Sequence, residues 1–332
     1  MLKSGGLNRF CWVLTSVALL LGLAHLVEGA ALHREREFLL HTWVTISAYG
    51  PAAPAGEKRA FAAVRRIDRL MNPYEPGSQL AAVNRGAGRR AVEVSGETVA
   101  VVRTALRVSR LTGGAYDPTV WPLVRLWGFG SRMGSRPAYR VPTEKEIAAT
   151  LSRVDYRQVE VKGRSVYLRR TGMGLDLGGV AKGYACDLAL AVLRRSGVRS
   201  ALVDIGGSSI CALGGKPGGR MWRVALPGVA GPGGSPQAIV LPSGQALGVS
   251  GQGERHFRRG KVVYGHLLDP RTGRPVAGGP KLVCVLGSSA AVADALSTAV
   301  FVLGPERGRL VLGEAGFAGF FAPAAKGRGG GG

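Results

Sequence analysis

Between residues 57 and 71 the apolar side chains Phe61, Val64, Ile67 and Met71 return every three or four positions, the spacing of one face of an amphipathic helix. The helix runs into Asn72-Pro-Tyr-Glu-Pro-Gly77, whose prolines and glycine predict a turn-rich loop. Ser95 is placed to cap a second helix that ends near Leu111, where Gly113 and Gly114 stop it. Thr143 and Glu146 have capping-box spacing and open a short third helix. Further along, short apolar runs at 166–168, 201–205, 222–226, 261–264, 281–286 and 317–321 read as strands. Helical stretches fall between them, at 179–196 with Gly197 closing it, and at 289–303. Helices and strands in mixed order, without regular βαβ repetition, predict an α+β fold.

Composition changes this picture mainly at the two ends. The 332 residues suffice for a full core. Lys3 and Arg9 precede an apolar run from Cys11 to Val27, with small residues just beyond, so 1–31 reads as a secretory signal or an N-terminal membrane anchor. The chain is therefore expected to work outside the cytoplasm, in the periplasm or on the outer face of the inner membrane. Residues 326–332 form a glycine-rich tail with nothing to pack and are expected to be disordered, which leaves 32–325 as the working domain. Cys186, Cys211 and Cys284 stand apart with no C-x-x-C pair, so neither a zinc site nor a disulfide framework is indicated. The net charge of +23 comes from scattered arginine pairs rather than a long basic run, which argues against a nucleic-acid partner.

Chemistry concentrates in a few places. Asp294 and Thr298 are one helical turn apart, with Ser297 beside them, on an otherwise apolar helix. A carboxylate and hydroxyls are hard oxygen donors of the kind Mg²⁺ takes before completing its shell with water and phosphate. In Asp176-Leu-Gly-Gly-Val-Ala-Lys-Gly-Tyr184 a strand passes through Gly178 and Gly179 into a helix N-terminus, which favours anions, and Lys182 stands in the first turn. A tight turn required by packing explains the same glycines. His266, followed by the Asp269-Pro270 turn, is one of five histidines and a candidate general base, or a structural histidine. Asp117-Pro118 makes a turn whose neighbouring backbone, at Ala115 to Asp117, can meet a planar ring; Tyr74 can stack on one.

In this order the segments resemble the ApbE family of FAD:protein FMN transferases. The matching stretches are 71–80 with Asn84, 115–130, 176–184, 201–207, 266–275 and 294–298. Where the family has Met-Gly-Thr before its first strand, this chain has Leu40-His-Thr42. The resemblance implies a T-fold-like α+β unit, mixed sheets with packed helices, and a site in a cleft between two subdomains. It implies FAD contacts at Leu40, Tyr74, Ala115, Tyr116, Asp117, Asp176, Lys182 and Leu268. It places magnesium at the Gly179 carbonyl, Asp294, Ser297 and Thr298, and transfer chemistry at His266, with Asp294 as an alternative base. The implied reaction is Mg²⁺-dependent transfer of FMN from FAD to a threonine or serine hydroxyl of an acceptor flavoprotein, with AMP released. Hydrolysis of FAD to FMN and AMP, or FAD binding without catalysis, are the alternatives.

Overall fold

The computed structural model describes residues 31–130, 138–230, 236–252 and 255–323. The expected leader, apart from its last residue, and the glycine-rich tail lie outside the described residues.

The chain opens with strands β1 (Leu32–Leu39) and β2 (Thr42–Tyr49), helices α1 (Ala53–Met71) and α2 (Gln79–Arg85), and strand β3 (Val92–Glu93). Helices α3 (Gly96–Leu111), α4 (Trp121–Trp127) and α5 (Glu144–Leu151) follow, then β4 (Val159–Lys162) and β5 (Ser165–Leu168). Helix α6 (Gly178–Arg195) leads into β6 (Ser200–Ile205), β7 (Ser209–Leu213), β8 (Trp222–Ala230), β9 (Pro236–Leu241) and β10 (Ala246–Gly251). Four short strands, β11 (His256–Arg259), β12 (Val262–Gly265), β13 (Leu268–Asp269) and β14 (Arg274–Pro275), precede β15 (Leu282–Gly287), α7 (Ala290–Ala315) and β16 (Ala318–Ala322).

The helix caps form where their residue types demand. The Ser95 side chain accepts the Thr98 amide at 3.3 Å, and Thr143 and Glu146 cap one another reciprocally. α1 begins ahead of its periodic stretch because Pro54 suits a first turn, where an amide has no intrahelical partner. α7 outruns its expected end at 303. The chain breaks at Gly304, with φ 76°, and Pro305 then starts a fresh helical segment that reaches Ala315.

Seven strands form one sheet in the order β1-β2-β6-β7-β10-β15-β16, antiparallel at every pairing. Alternation along the strands divides their side chains between two cores. Cys211 and Leu213 of β7 and Val283 and Val285 of β15 face the larger core, under α6 and α7, with α1 packed on α6 and α3 on α7. Ile210, Ala212, Leu282 and Cys284 face the other side, covered by the β8–β9 hairpin through Trp222, Val224 and Leu241. A third cluster joins α4 and α5 to the β11–β14 segment through Leu123, Trp127, Phe129, Ile147, Phe257 and Leu268. There the Trp127 indole donates to the Gly273 carbonyl at 2.8 Å. This smaller lobe faces the large core across a cleft, in line with the expected α+β fold and its site between two parts. No helix of the described residues is long and apolar enough to cross a membrane.

Candidate active site

The cleft encloses about 690 Å³, within the range of small-molecule sites. Its floor depends on how closely α7 can approach its neighbours. Gly183 on α6 and Gly248 on β10 stand where an added Cβ would meet the Ala290 carbonyl oxygen at 2.2 Å and the Ala293 backbone at 2.3 Å. Only glycine lets the three elements meet. The Asp187 carboxylate on α6 then caps the start of α7, accepting the Ala290 and Ala291 amides at 2.8 and 3.0 Å and the Ser289 hydroxyl at 3.0 Å.

Seated this way, α7 presents Asp294 and Thr298 to the cleft. Asp294 is 2% exposed, and its Oδ2 accepts the Gly183 amide at 3.1 Å. In a regular helix that amide faces the Gly179 carbonyl, so one peptide group adjoins two of the residues singled out for magnesium. An added Cβ on Gly179 would lie 3.1 Å from the Tyr116 ring and 3.5 Å from Thr298 Oγ1. The Tyr116 hydroxyl is buried and has no hydrogen-bond partner among the described residues. Burial, helped by the charges of Asp294, Asp176 and Asp117, pushes its pKa well up and keeps it a proton donor. Ser297 stands behind the wall: it donates to the Asp294 carbonyl at 2.8 Å and lies 2.7 Å from Ser250 Oγ. Ser250 takes the cleft-facing place, 3.3 Å from Thr298 Oγ1.

The turn into α6 is braced from two sides. The Asn84 side chain brackets the backbone of Leu175, donating at 3.0 Å and accepting at 2.7 Å, while the Asp176 amide donates to the Pro118 carbonyl at 2.8 Å. Asp176 Oδ1 accepts the Gly178 amide at 2.8 Å, and Lys182 Nζ reaches back to the Gly178 carbonyl at 2.7 Å. An ammonium group is thereby held against a helix N-terminus, an arrangement that suits an anion beside both.

The opposite wall is apolar and aromatic. Leu40 and His41 form the two-residue turn between β1 and β2, at φ 54° and 60°. Both occupy the left-handed region, so the histidine adopts the conformation for which glycine is favoured, and Leu40 still lines the cleft. The Tyr74 ring lies 5.1 Å from Trp121, edge to face. Ala115, Tyr116, Asp117 and Leu268 line the same space. The Asp117 carboxylate is committed to structure: it accepts the Thr119 amide and hydroxyl at 2.8 and 2.6 Å and the Tyr156 amide at 2.9 Å. His266 borders the cleft too, with Nδ1 3.2 Å from the Arg255 carbonyl oxygen. Burial first, then the positive charge of Arg255 with Lys182 and His256, pushes its pKa down to about 3.

The structure thus brings the expected residues to one cleft, with Ser297 set behind it. Sequence reasoning passed over Ser250, Arg255 and Asp68, which also line it. Ser250 lies in β10, where glycines at 248 and 251 mask the strand pattern. Arg255 is one arginine among many, and Asp68 sits on α1 as an ordinary polar position. Elsewhere, His33, Glu35 and Glu57 bring ligand-type atoms within 4.8 Å of one another. His33 meets Glu57 through Nδ1 at 2.6 Å and Glu35 through Nε2 at 3.8 Å, opposite edges of the ring, so the two carboxylates do not converge on one ring nitrogen.

The ApbE family model matches residues 40–321. The chain is 35% identical over 252 residues to the FAD:protein FMN transferase of Vibrio cholerae, covering 74% of each, and 33% identical over 297 residues to that of Treponema pallidum, covering 84% of this chain and 80% of the relative. Its fold is similar to the apo form of Pseudomonas stutzeri flavinyl transferase ApbE, with a TM-score of 0.79 at 29% identity over 89% of this chain and 92% of the other.

Proposed function

The chain belongs to the ApbE family, and from that premise we propose that it transfers FMN from FAD to a threonine or serine hydroxyl of an acceptor flavoprotein, releasing AMP, with Mg²⁺ required. One observation carries the reading. Asp294, Thr298 and Gly179 converge around the Tyr116 hydroxyl, which meets no hydrogen-bond partner among the described residues, in a cleft that also holds Lys182 and Arg255.

The donor set fits magnesium: a buried carboxylate, a hydroxyl and a backbone carbonyl are hard oxygens, and the missing Cβ of Gly179 leaves a cradle between Tyr116 and Thr298. Asp294, Thr298 and the Gly179 carbonyl would hold the ion, with Ser250 beside Thr298 at the cleft and Ser297 bracing the Asp294 backbone from behind. When bound, Mg²⁺ supplies charge neutralisation at the pyrophosphate. The chain's own groups do the rest by position and charge, as phosphoryl transfer requires. Lys182 and the helix N-terminus hold phosphate oxygens, and Tyr116 donates to one of them. Leu40, Tyr74 and Leu268 enclose the ring system. The acceptor oxygen bonds to the phosphorus nearest riboflavin, the bond from that phosphorus to AMP breaks, and the hydroxyl proton passes to His266, or to Asp294. His266 is neutral at physiological pH and therefore able to accept a proton. Bound phosphates offset the neighbouring cations and raise its basicity.

The reaction takes place outside the cytoplasm, on exported or membrane-facing redox subunits; the basic and apolar start of the chain supports this. Purified chain incubated with FAD, MgCl₂ and a candidate acceptor should yield acceptor heavier by one FMN and an equal amount of AMP. Free FMN with AMP, and no labelled protein, assigns hydrolysis instead. FAD retained without AMP overturns catalysis altogether.

A further inference from the structure

Cys186 and Cys211, unrelated by any sequence motif, meet in the larger core. Their sulfurs are 2.7 Å apart, closer than two unbonded sulfurs pack, and the residues are 0% and 1% exposed. The approach is fixed by regular structure. Cys211 on β7 pairs in register with Val203 on β6, Cys186 Sγ points at the Val203 carbonyl at 3.6 Å, and Cys211 Sγ lies 3.2 Å from the Cys186 carbonyl oxygen. Cys284 sits on the opposite face of the sheet, beneath the β8–β9 hairpin, so among the described cysteines the choice of partner is unambiguous.

We propose that Cys186 and Cys211 are joined as a disulfide in the exported protein, tying α6, whose first turns carry Gly179 and Lys182, to the sheet. The inference rests on the reading that the chain leaves the cytoplasm, where thiols are kept reduced. The oxidant is a disulfide-carrying oxidoreductase or an equivalent disulfide. One cysteine thiolate attacks it to give a mixed disulfide, and the second displaces it. Two S–H bonds are lost, one S–S bond forms, and the two electrons and two protons leave on the oxidant as a dithiol. In the folded core burial pushes both thiols up, Cys186 well up, which disfavours the nucleophilic thiolate. The exchange therefore belongs to the folding chain, before α6 closes over β7.

The test begins with the full chain produced in an exporting bacterial host, quenched in acid, unfolded and alkylated. A peptide linking Cys186 to Cys211, with Cys284 alkylated, is the expected result. Alkylation of both Cys186 and Cys211 in chain from the exported fraction overturns the proposal. If the chain remains in the cytoplasmic fraction, the export reading fails instead, and refolding from urea in mixed oxidised and reduced glutathione decides the pairing: no linked peptide there overturns it as well. Refolding with dithiothreitol should lower Tm by about 5 °C, while a Cys186→Ala/Cys211→Ala variant should no longer respond to dithiothreitol. Equal Tm values for the unsubstituted chain refolded with and without dithiothreitol contradict the crosslink.

Discussion

Replacing Asp294 with asparagine separates the chemistry of the cleft from its architecture. The side chain is 2% exposed and accepts the Gly183 amide at 3.1 Å. Asparagine has the same shape and retains a carbonyl oxygen for that amide. At that bond the fold loses the difference between a charge-assisted and a neutral hydrogen bond, about 1 kcal/mol. That corresponds to a fall in Tm of roughly 2–4 °C. Catalysis loses more, because the anionic donor beside Thr298 and Gly179 is gone. Removing several kcal/mol of charge stabilisation from the transition state, about 4, slows transfer about a thousandfold. The assay is the initial rate of flavin attachment and of AMP release across a magnesium series, with Tm recorded on the same samples. A variant within about fivefold of the native rate at every magnesium concentration refutes the assignment. A Tm loss above roughly 10 °C refutes the claim that the charge serves chemistry rather than packing.

Tyr116→Phe removes a buried hydroxyl that has no hydrogen-bond partner among the described residues, so the fold should be unchanged or about 1 kcal/mol more stable, while flavin transfer falls about tenfold; a destabilised variant with full activity contradicts its role as a phosphate donor. His41→Gly relieves a left-handed residue at φ 60° by about 1 kcal/mol, against roughly 0.5 kcal/mol of added chain entropy; Tm should rise by about 1–2 °C, and a clear fall means that the imidazole contact with Tyr74 outweighs the strain. His266 has a folded pKa of about 3 against an ordinary 6.5, so its contribution to stability is complete above 6.5 and is lost as pH falls through that value toward 3. Thermal melts of the native chain should lose stability over that interval relative to His266→Gln, and parallel pH profiles disprove the burial argument. Asp117, Asp187 and Asp204, whose carboxyl pKa values are raised by burial, act in the opposite sense, which is why the comparison is made between the two proteins.

What could be read from the chain alone was local. Ser95 and the Thr143–Glu146 pair mark helix starts because a cap is made by residues three apart, and Phe61, Val64, Ile67 and Met71 mark a buried face because one helix repeats every 3.6 residues. The Asp294–Thr298 pair was visible for the same reason, and so was the turn at Gly178 and Gly179. The order of the motifs along the chain then pointed to the family. Tertiary structure alone decided what depends on contacts across long sequence separations. The strand order β1-β2-β6-β7-β10-β15-β16 pairs segments with no local signature, and β10 went unseen because its glycines, of which Gly248 is required for contact with α7, erase the pattern of a strand. The bond from Gly183 to Asp294, the place of Ser250 in front of Ser297, the burial that, with nearby cations, lowers the His266 pKa and the meeting of Cys186 with Cys211 arise only when remote elements close on one another. A side chain's neighbours along the chain are fixed by covalent geometry, whereas its neighbours in space are set by how whole helices and sheets bury their apolar faces together.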